Sequence, residues 1–262
     1  PSLVGSEMCI RDRKITYSLI DTFNRAGNIA LSLRDAGLIK EIKSDNTPVT
    51  NGDIEVNKIL IKKISEITPN ISIVSEENSE NKNKKNLKNF WLIDPIDGTK
   101  DYISNKDEFT LNAALIIDKK PVIGIINAPG KKRIFYSYAK SNSYELSKNQ
   151  EIELINKKKN YKEIKAVSYS DKLKPEILEI HKKYQVTSFK KMKSSLKFCV
   201  IAASEFDLYV AEPRACEWDI AAGHAILIHA GGQLTDFEGN EILYGKLNFK
   251  NPSIILKNKS IV

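Results

Sequence analysis

The segment Trp91-Leu-Ile-Asp94-Pro-Ile-Asp97-Gly-Thr99 ends an apolar run abruptly in two carboxylates, a proline, a glycine and a hydroxyl. Pro95 fixes one backbone angle and Gly98 permits a tight turn or a helix entry. Asp94 and Asp97 can then face a common point, with the Thr99 hydroxyl beside them. The same residues also fit an ordinary β-turn, in which Asp, Pro and Gly take their usual turn roles. Two further acidic signals bear on that choice. Ile71-Ser-Ile-Val-Ser75 runs into Glu76 and Glu77, and Glu217-Trp218-Asp219 opens the apolar stretch Ile220-Ala-Ala-Gly-His224-Ala-Ile-Leu. Adjacent acids repel unless solvent or a cation offsets them, whereas a carboxylate at a helix start is equally a plain N-cap.

Taken jointly, Glu76, Asp94, Asp97 and Asp219 carry four negative charges, which two divalent cations would balance. Hard oxygen donors select Mg²⁺ over zinc. Two such ions roughly 3.5–4 Å apart can hold the oxygens of a phosphate monoester, activate a water and stabilise the leaving alkoxide. That chemistry needs neither a Cys nor a His nucleophile.

These acids must be positioned by regular elements. Ile15, Leu19, Ile20, Phe23, Ala26, Ile29, Ala30 and Leu33 recur at helical spacing from Lys14 to about Ala36, with Gly37 as a stop. A second amphipathic helix is predicted from about Asp53 to Ile67. Strand-like runs follow at 71–75, 90–94, 109–117, 122–127 and 133–138, rich in β-branched and aromatic residues. The polar stretch 139–162 reads as an irregular connection between two halves, about 14–140 and about 163–262. The second half alternates: strands at 165–168, 186–189, 207–211 and 233–235, helices at 175–183, 195–204 and 219–229. This alternation points to layered α/β packing.

The 262 residues suffice for one large domain, and no apolar run approaches the roughly 18–20 residues of a membrane span. The 41 Lys and Arg against 33 Asp and Glu give a net charge of +8, which raises the alternative of a non-catalytic basic protein that binds nucleic acid or anionic lipid. The lysines are scattered through Asn- and Ile-rich segments such as 81–88 and 156–165 and form no stripe with interleaved aromatics, so nucleic acid is not expected as a partner. A small phosphorylated substrate would still be attracted. Three cysteines, Cys9, Cys199 and Cys216, without CxxC spacing, argue against a disulfide framework or a zinc site. The expected location is cytoplasmic, with at most peripheral contact at the inner membrane face, and no amphipathic anchor supports even that. Residues 1–13 resemble no signal peptide and are read as a non-native or disordered leader, leaving 14–262 as a single domain.

The Glu76-Glu77 pair, the Asp94-to-Thr99 string and Trp218-Asp219-Ile-Ala-Ala-Gly223, in this order and at these separations, resemble the three signatures of the inositol monophosphatase superfamily of Mg²⁺-dependent, lithium-sensitive phosphatases. Within it, Asp45-Asn-Thr-Pro-Val-Thr50, Gly98-Thr-Lys-Asp-Tyr102, Glu108-Phe-Thr-Leu-Asn112 and Ser194-Ser-Leu-Lys-Phe-Cys199 resemble the 3′(2′),5′-bisphosphate nucleotidase branch. The resemblance implies an α/β (α+β) fold, the layered α/β/α/β/α sandwich shared with fructose-1,6-bisphosphatase, with the site where the halves meet. It implies that Glu76, Asp94, Asp97 and Asp219, with the Ile96 carbonyl, hold two or more Mg²⁺ ions. Asp53, 23 positions before Glu76, would pair with Thr99 to orient and deprotonate water. Glu76, Ile96, Asp97, Gly98, Thr99 and Asp219 would meet the phosphate, and backbone N–H groups at Gly98 and Thr99 suit that task. Ser194 and Lys197 would contact the nucleotide, although Lys197 is equally a solvated helix lysine on its own. The implied reaction removes the 3′-phosphate of 3′-phosphoadenosine 5′-phosphate, a by-product of sulfate assimilation. Inositol monophosphate and fructose 1,6-bisphosphate are the rival substrates.

The chain departs from that branch at Lys193, where a glycine is usual, and across Ala211-Glu-Pro-Arg-Ala-Cys216. The histidines read as bland: His181 as exposed in a lysine-rich helix, His224 and His229 as core neighbours. Trp91 and Trp218 read as packing residues, Cys199 and Cys216 as buried thiols.

Overall fold

The computed structural model describes residues 2–77, 81–82, 84, 87–138, 142–155, 163–259 and 261. Helix α1 (Ser2–Ala36) starts twelve residues before the expected Lys14. A short hairpin, β1 (Lys40–Ile42) and β2 (Pro48–Thr50), precedes α2 (Asn51–Ile67). Strands β3 (Ser72–Ser75) and β4 (Phe90–Asp97), the short α3 (Thr99–Ile103), then β5 (Thr110–Ile117), β6 (Lys120–Ala128) and β7 (Arg133–Ser137) complete the expected part of the first half.

The stretch read as an irregular connection is largely sheet. β8 (Ser143–Ser147) and β9 (Gln150–Leu154) form an antiparallel hairpin that adds to β7. Lys148 and Asn149 turn it, both at positive φ. The chain alternates only weakly here because β9 is the edge strand, exposed along most of its length, and β8 beside it is only partly buried. Residues 139–141 and 156–162 of that stretch lie outside the described residues.

The second half runs β10 (Ile164–Ser168), α4 (Pro175–Lys183), β11 (Val186–Lys191), α5 (Leu196–Ala202), β12 (Leu208–Ala211), α6 (Glu217–His229), β13 (Gln233–Thr235) and β14 (Ile254–Lys257). One sheet has the order β3-β4-β5-β6-β7-β8-β9 and the other β11-β10-β12-β14-β13.

Five layers result. The apolar faces of α1 and α2 cover one side of the large sheet, where Phe23, Leu60, Trp91, Ile93, Leu111 and Ile125 are buried together. Its other side, through Phe90, Leu92, Ala114 and Phe135, packs on α5 and α6, which also meet Tyr209, Ala211 and Leu256 of the second sheet. Ile177 of α4 closes the outer face of that sheet against Ala166, Leu208 and Val210. This is the expected α/β/α/β/α sandwich. Helix α6 is apolar nearly all round because it is the middle layer. Gly124 of β6 lets it approach, since a Cβ there would overlap the Ala222 carbonyl oxygen.

His181 corrects the sequence expectation: it is buried, because α4 turns that side inwards against Phe189, and burial lowers its pKa. Among the described residues no helix is long and apolar enough to cross a membrane.

Candidate active site

A strand presents alternate side chains to opposite faces, so Asp94 and Asp97, three apart, would ordinarily point away from each other. The register resolves this. Asp94 pairs with Asn112 and Asp97 with Thr110, so three steps on β4 oppose two on β5. The extra residue makes a β-bulge and returns Asp97 to the face of Asp94. Pro95, with no N–H to offer a ladder, lies within it. Beyond the bulge Gly98 adopts φ 93°, and a Cβ there would press to 3.1 Å on the Glu108 carbonyl oxygen. That turn starts α3 and sets Thr99 at its first position.

Glu76 leaves the end of β3, its N–H donating to the Ile93 carbonyl at 3.0 Å. Asp219 stands in the first turn of α6, and its Oδ2 accepts the Cys216 N–H at 2.7 Å. The cap reading is therefore correct, and it leaves the second oxygen for other work. Carboxylate oxygens of Glu76, Asp94 and Asp219 all lie within 4.8 Å of one another. Among the described residues Asp94 Oδ1 is buried without a hydrogen-bond partner. Burial first, then the charges of Glu76, Asp97 and Asp219, hold the Asp94 carboxyl well above the usual range. Burial and the charges of Asp97 and Glu76 do the same to Asp219. A cluster of hard oxygen donors with an orphaned buried atom fits a divalent cation, which would offset both the repulsion and the desolvation.

Asp53 has a parallel double role. At the third position of α2 it completes a capping box: its Oδ2 accepts the Thr50 N–H at 2.8 Å and the Thr50 hydroxyl at 2.6 Å. Its Oδ1 accepts the Thr99 hydroxyl at 3.2 Å, and the Ile96 carbonyl lies 3.1 Å from the same hydroxyl oxygen. Burial raises the Asp53 pKa against the lowering effect of the Thr50 bonds.

A cavity of about 310 Å³ opens between the two halves, within the usual size of ligand pockets. Glu76, Asp94, Ile96, Asp97, Gly98 and Thr99 line one side. Ser194, Lys197 and Asp219 line it from the second half, so every expected site residue except Asp53 reaches it, and Asp53 reaches it through Thr99. Lys197 is not a solvated helix lysine: it is buried, and burial lowers its pKa to about 8.

Three contributors escaped the sequence reading. Ser195 Oγ lies 2.6 Å from both Asp97 Oδ2 and the Asp219 carbonyl oxygen and accepts from Asn112 Nδ2 at 3.1 Å, tying the bulge to α6. Only its place beside Ser194 could have marked it. Lys43 Nζ, from the hairpin, lies 2.6 Å from Glu77 Oε1 and 3.3 Å from Glu76 Oε1; among so many scattered lysines nothing singled it out. Lys250 Nζ lies 3.4 Å from Cys216 Sγ, which is half-buried. Trp91 and Trp218 are packing residues: Trp91 donates to the Thr68 hydroxyl, and Trp218 lies against Phe249 with Lys82 above its ring.

The layered fold and this arrangement of carboxylates define a metal-dependent phosphatase architecture. The chain belongs to the inositol monophosphatase family, whose model matches residues 12–261. It is similar to the 3′(2′),5′-bisphosphate nucleotidase CysQ of Salmonella typhimurium, 33% identical over 87% of this chain and 93% of that protein. The protein of the same description from Buchnera aphidicola is 34% identical over 88% of each. Among solved structures, CysQ from Bacteroides thetaiotaomicron has 27% identity and a TM-score of 0.74, covering 95% of this chain and 98% of its own. An IMPase/NADP phosphatase complexed with Mg²⁺ and phosphate has the same fold at 16% identity, with a TM-score of 0.79 over 95% of this chain and 92% of its own. The chain is thus a phosphatase of this family.

Proposed function

We propose that the protein is a Mg²⁺-dependent 3′(2′),5′-bisphosphate nucleotidase that converts adenosine 3′,5′-bisphosphate and water to AMP and phosphate. The observation that carries this reading is the convergence of Glu76, Asp94 and Asp219 within 4.8 Å, with Asp97 on the same cavity. The likeness to the CysQ proteins supports the nucleotide over other phosphate esters. Glu76, Asp94, Asp97 and Asp219, with the Ile96 carbonyl, would hold two or more Mg²⁺ ions, whose chemistry when bound would be positive charge beside the phosphate oxygens and a more acidic water.

The chain's own residues do the rest. Asp53 Oδ1 accepts the Thr99 hydroxyl proton, so that the lone pairs of Thr99 Oγ1 orient an attacking water; as that water attacks phosphorus its proton passes to Thr99 Oγ1 while the Thr99 proton passes to Asp53 Oδ1. The backbone N–H groups at Gly98 and Thr99 face developing charge on the phosphate oxygens. Ser194 and Lys197, on the opposite wall, hold the nucleotide.

A phosphate-release panel with adenosine 3′,5′-bisphosphate, inositol monophosphate and fructose 1,6-bisphosphate tests the reading. The highest kcat/KM is expected for the nucleotide. A clear preference for either sugar phosphate rejects the nucleotidase assignment, and absence of release at any Mg²⁺ concentration would favour a polyanion-binding protein instead.

A further inference from the structure

A second cavity, of about 260 Å³, opens on the α1 side of the large sheet and shares no lining residue with the catalytic cavity. That volume is near the lower end for small-ligand pockets. Asn24 and Asn28, one turn apart on α1, line one side, Asn127 lies near the end of β6, Lys132 just before β7, and Lys148 and Asn149 in the β8–β9 turn. Among the described residues no carboxylate lines this cavity and neither lysine forms an ion pair, whereas the neighbouring Arg133 is taken by Glu145 and Glu205. The lining therefore offers positive charge and amides with nothing of its own to neutralise them.

Asn127 is the buried polar group of the cavity, only 3% exposed. Its Nδ2 donates to the Phe23 carbonyl of α1 at 2.7 Å, which fixes the amide, and its Oδ1 accepts nothing among the described residues. The helix yields to admit it: a Cβ on Gly27 would overlap Asn127 Nδ2 at 2.5 Å. Glycine inside a helix and asparagine inside a strand each weaken their own element. Together they mark a place where local stability is given up for a polar site.

We propose that this cavity is a second, non-catalytic site for a small phosphoryl dianion that carries an O–H group, either hydrogen phosphate or the phosphate monoester of a short polyol. Lys132 and Lys148 supply charge to the phosphoryl oxygens, and Asn24, Asn28 and Asn149 offer amide donors beside them. Asn127 Oδ1 accepts the O–H of the ligand. With no carboxylate to hold a divalent cation or to take a proton, the occupant is bound and not cleaved. Sulfate has the same shape and charge but no proton at neutral pH, so it would leave Oδ1 unpaired and bind more weakly. This site does not depend on the nucleotidase reading.

The test is equilibrium dialysis of radiolabelled inorganic phosphate against the full chain in EDTA, with glycerol 3-phosphate and sulfate as competitors. Wild type is compared with the double variant Lys132→Gln, Lys148→Gln and with a control, Lys58→Gln, Lys62→Gln, that removes the same charge from exposed positions of α2. Circular dichroism checks that both variants fold. Wild type and control are expected to bind phosphate alike, the Lys132/Lys148 variant about tenfold or more weakly, and sulfate to compete only at about tenfold higher concentration or more. Glycerol 3-phosphate competing at lower concentration than unlabelled phosphate makes a polyol monoester the better occupant; weaker competition makes it hydrogen phosphate. Absence of binding to wild type, an equal loss in the control, equal competition by sulfate, or binding that survives in the Lys132/Lys148 variant but disappears in Lys197→Ala overturns the site, the last by placing the anion in the catalytic cavity.

Discussion

The Thr99 hydroxyl lies 3.2 Å from Asp53 Oδ1, although 46 residues separate the two in sequence and they open different helices. Asp53 is 1% exposed and its other oxygen is committed to Thr50, so its free oxygen has one partner to act through. Replacing Thr99 by Ala takes the hydroxyl from Asp53 Oδ1, while Oδ2 keeps its Thr50 bonds, and removes the group that meets the water. Loss of a positioned proton acceptor is worth on the order of 10²–10⁴ in rate. Thr99→Ala should lower kcat by that order, while Thr99→Ser, which keeps the oxygen, should retain most of it; steady-state kinetics at saturating Mg²⁺ decide.

Asp94→Asn preserves shape at a fully buried position and removes one donor from the cation cluster. The expected outcome is a folded protein with kcat reduced by orders of magnitude. A second readout is independent of turnover: Mg²⁺ stabilises what it binds by RT ln(1 + [Mg²⁺]/Kd), so the Mg²⁺-induced rise in Tm should shrink in the variant. Wild-type turnover together with a wild-type Tm shift removes Asp94 from the ligand set.

Much of this site was legible in the sequence because its residues sit at the ends of strongly patterned elements. The apolar run into Asp94, the strand into Glu76 and the apolar helix after Asp219 each fixed an end with little freedom. The alternative turn and cap readings did not exclude the functional ones: Asp53 and Asp219 each use one oxygen as a helix cap and leave the other. What was not legible depends on long-range pairing. The bulge that aligns Asp94 with Asp97 exists only against β5. Ser195 became informative only when α6 and β4 met across it, and Lys43 only when the hairpin folded over Glu76. The β8–β9 pair escaped because β9 at the sheet edge is mostly exposed and β8 beside it only partly buried, too little burial to impose a clear period.

Lys197→Ala should raise KM for adenosine 3′,5′-bisphosphate far more than for a small generic phosphate ester. The lysine lies on the cavity wall supplied by the second half, its ammonium on the Ser194 carbonyl, and among the described residues it forms no ion pair, so its charge is available to the substrate's remote part. Because its stem is also packed, Lys197→Met serves as the control that keeps the apolar volume. Equal effects on both substrates would make Lys197 a packing residue and no specificity contact.

The last prediction concerns stability and lies away from the chemistry. His224 is buried in α6 with Nδ1 2.9 Å from the Tyr244 hydroxyl, and burial, then the charges of Lys246 and His229, lower its pKa from 6.5 to about 3. Burial takes His229 to about 4 and lowers His181 as well. In the unfolded chain these rings take up protons below about pH 6.5, while the folded protein keeps them neutral. Stability is therefore fully present above pH 6.5 and declines as the pH falls towards the folded values. For a ring that stays neutral when folded, linkage gives a loss of about 2 kcal/mol by pH 5. Urea unfolding of the metal-free protein at pH 7 and pH 5 should show this decline. His224→Gln, which retains an acceptor for Tyr244, should reduce the difference between the two pH values by about that amount. An undiminished difference would mean that His224 is protonated in the folded protein or does not contribute to its acid sensitivity.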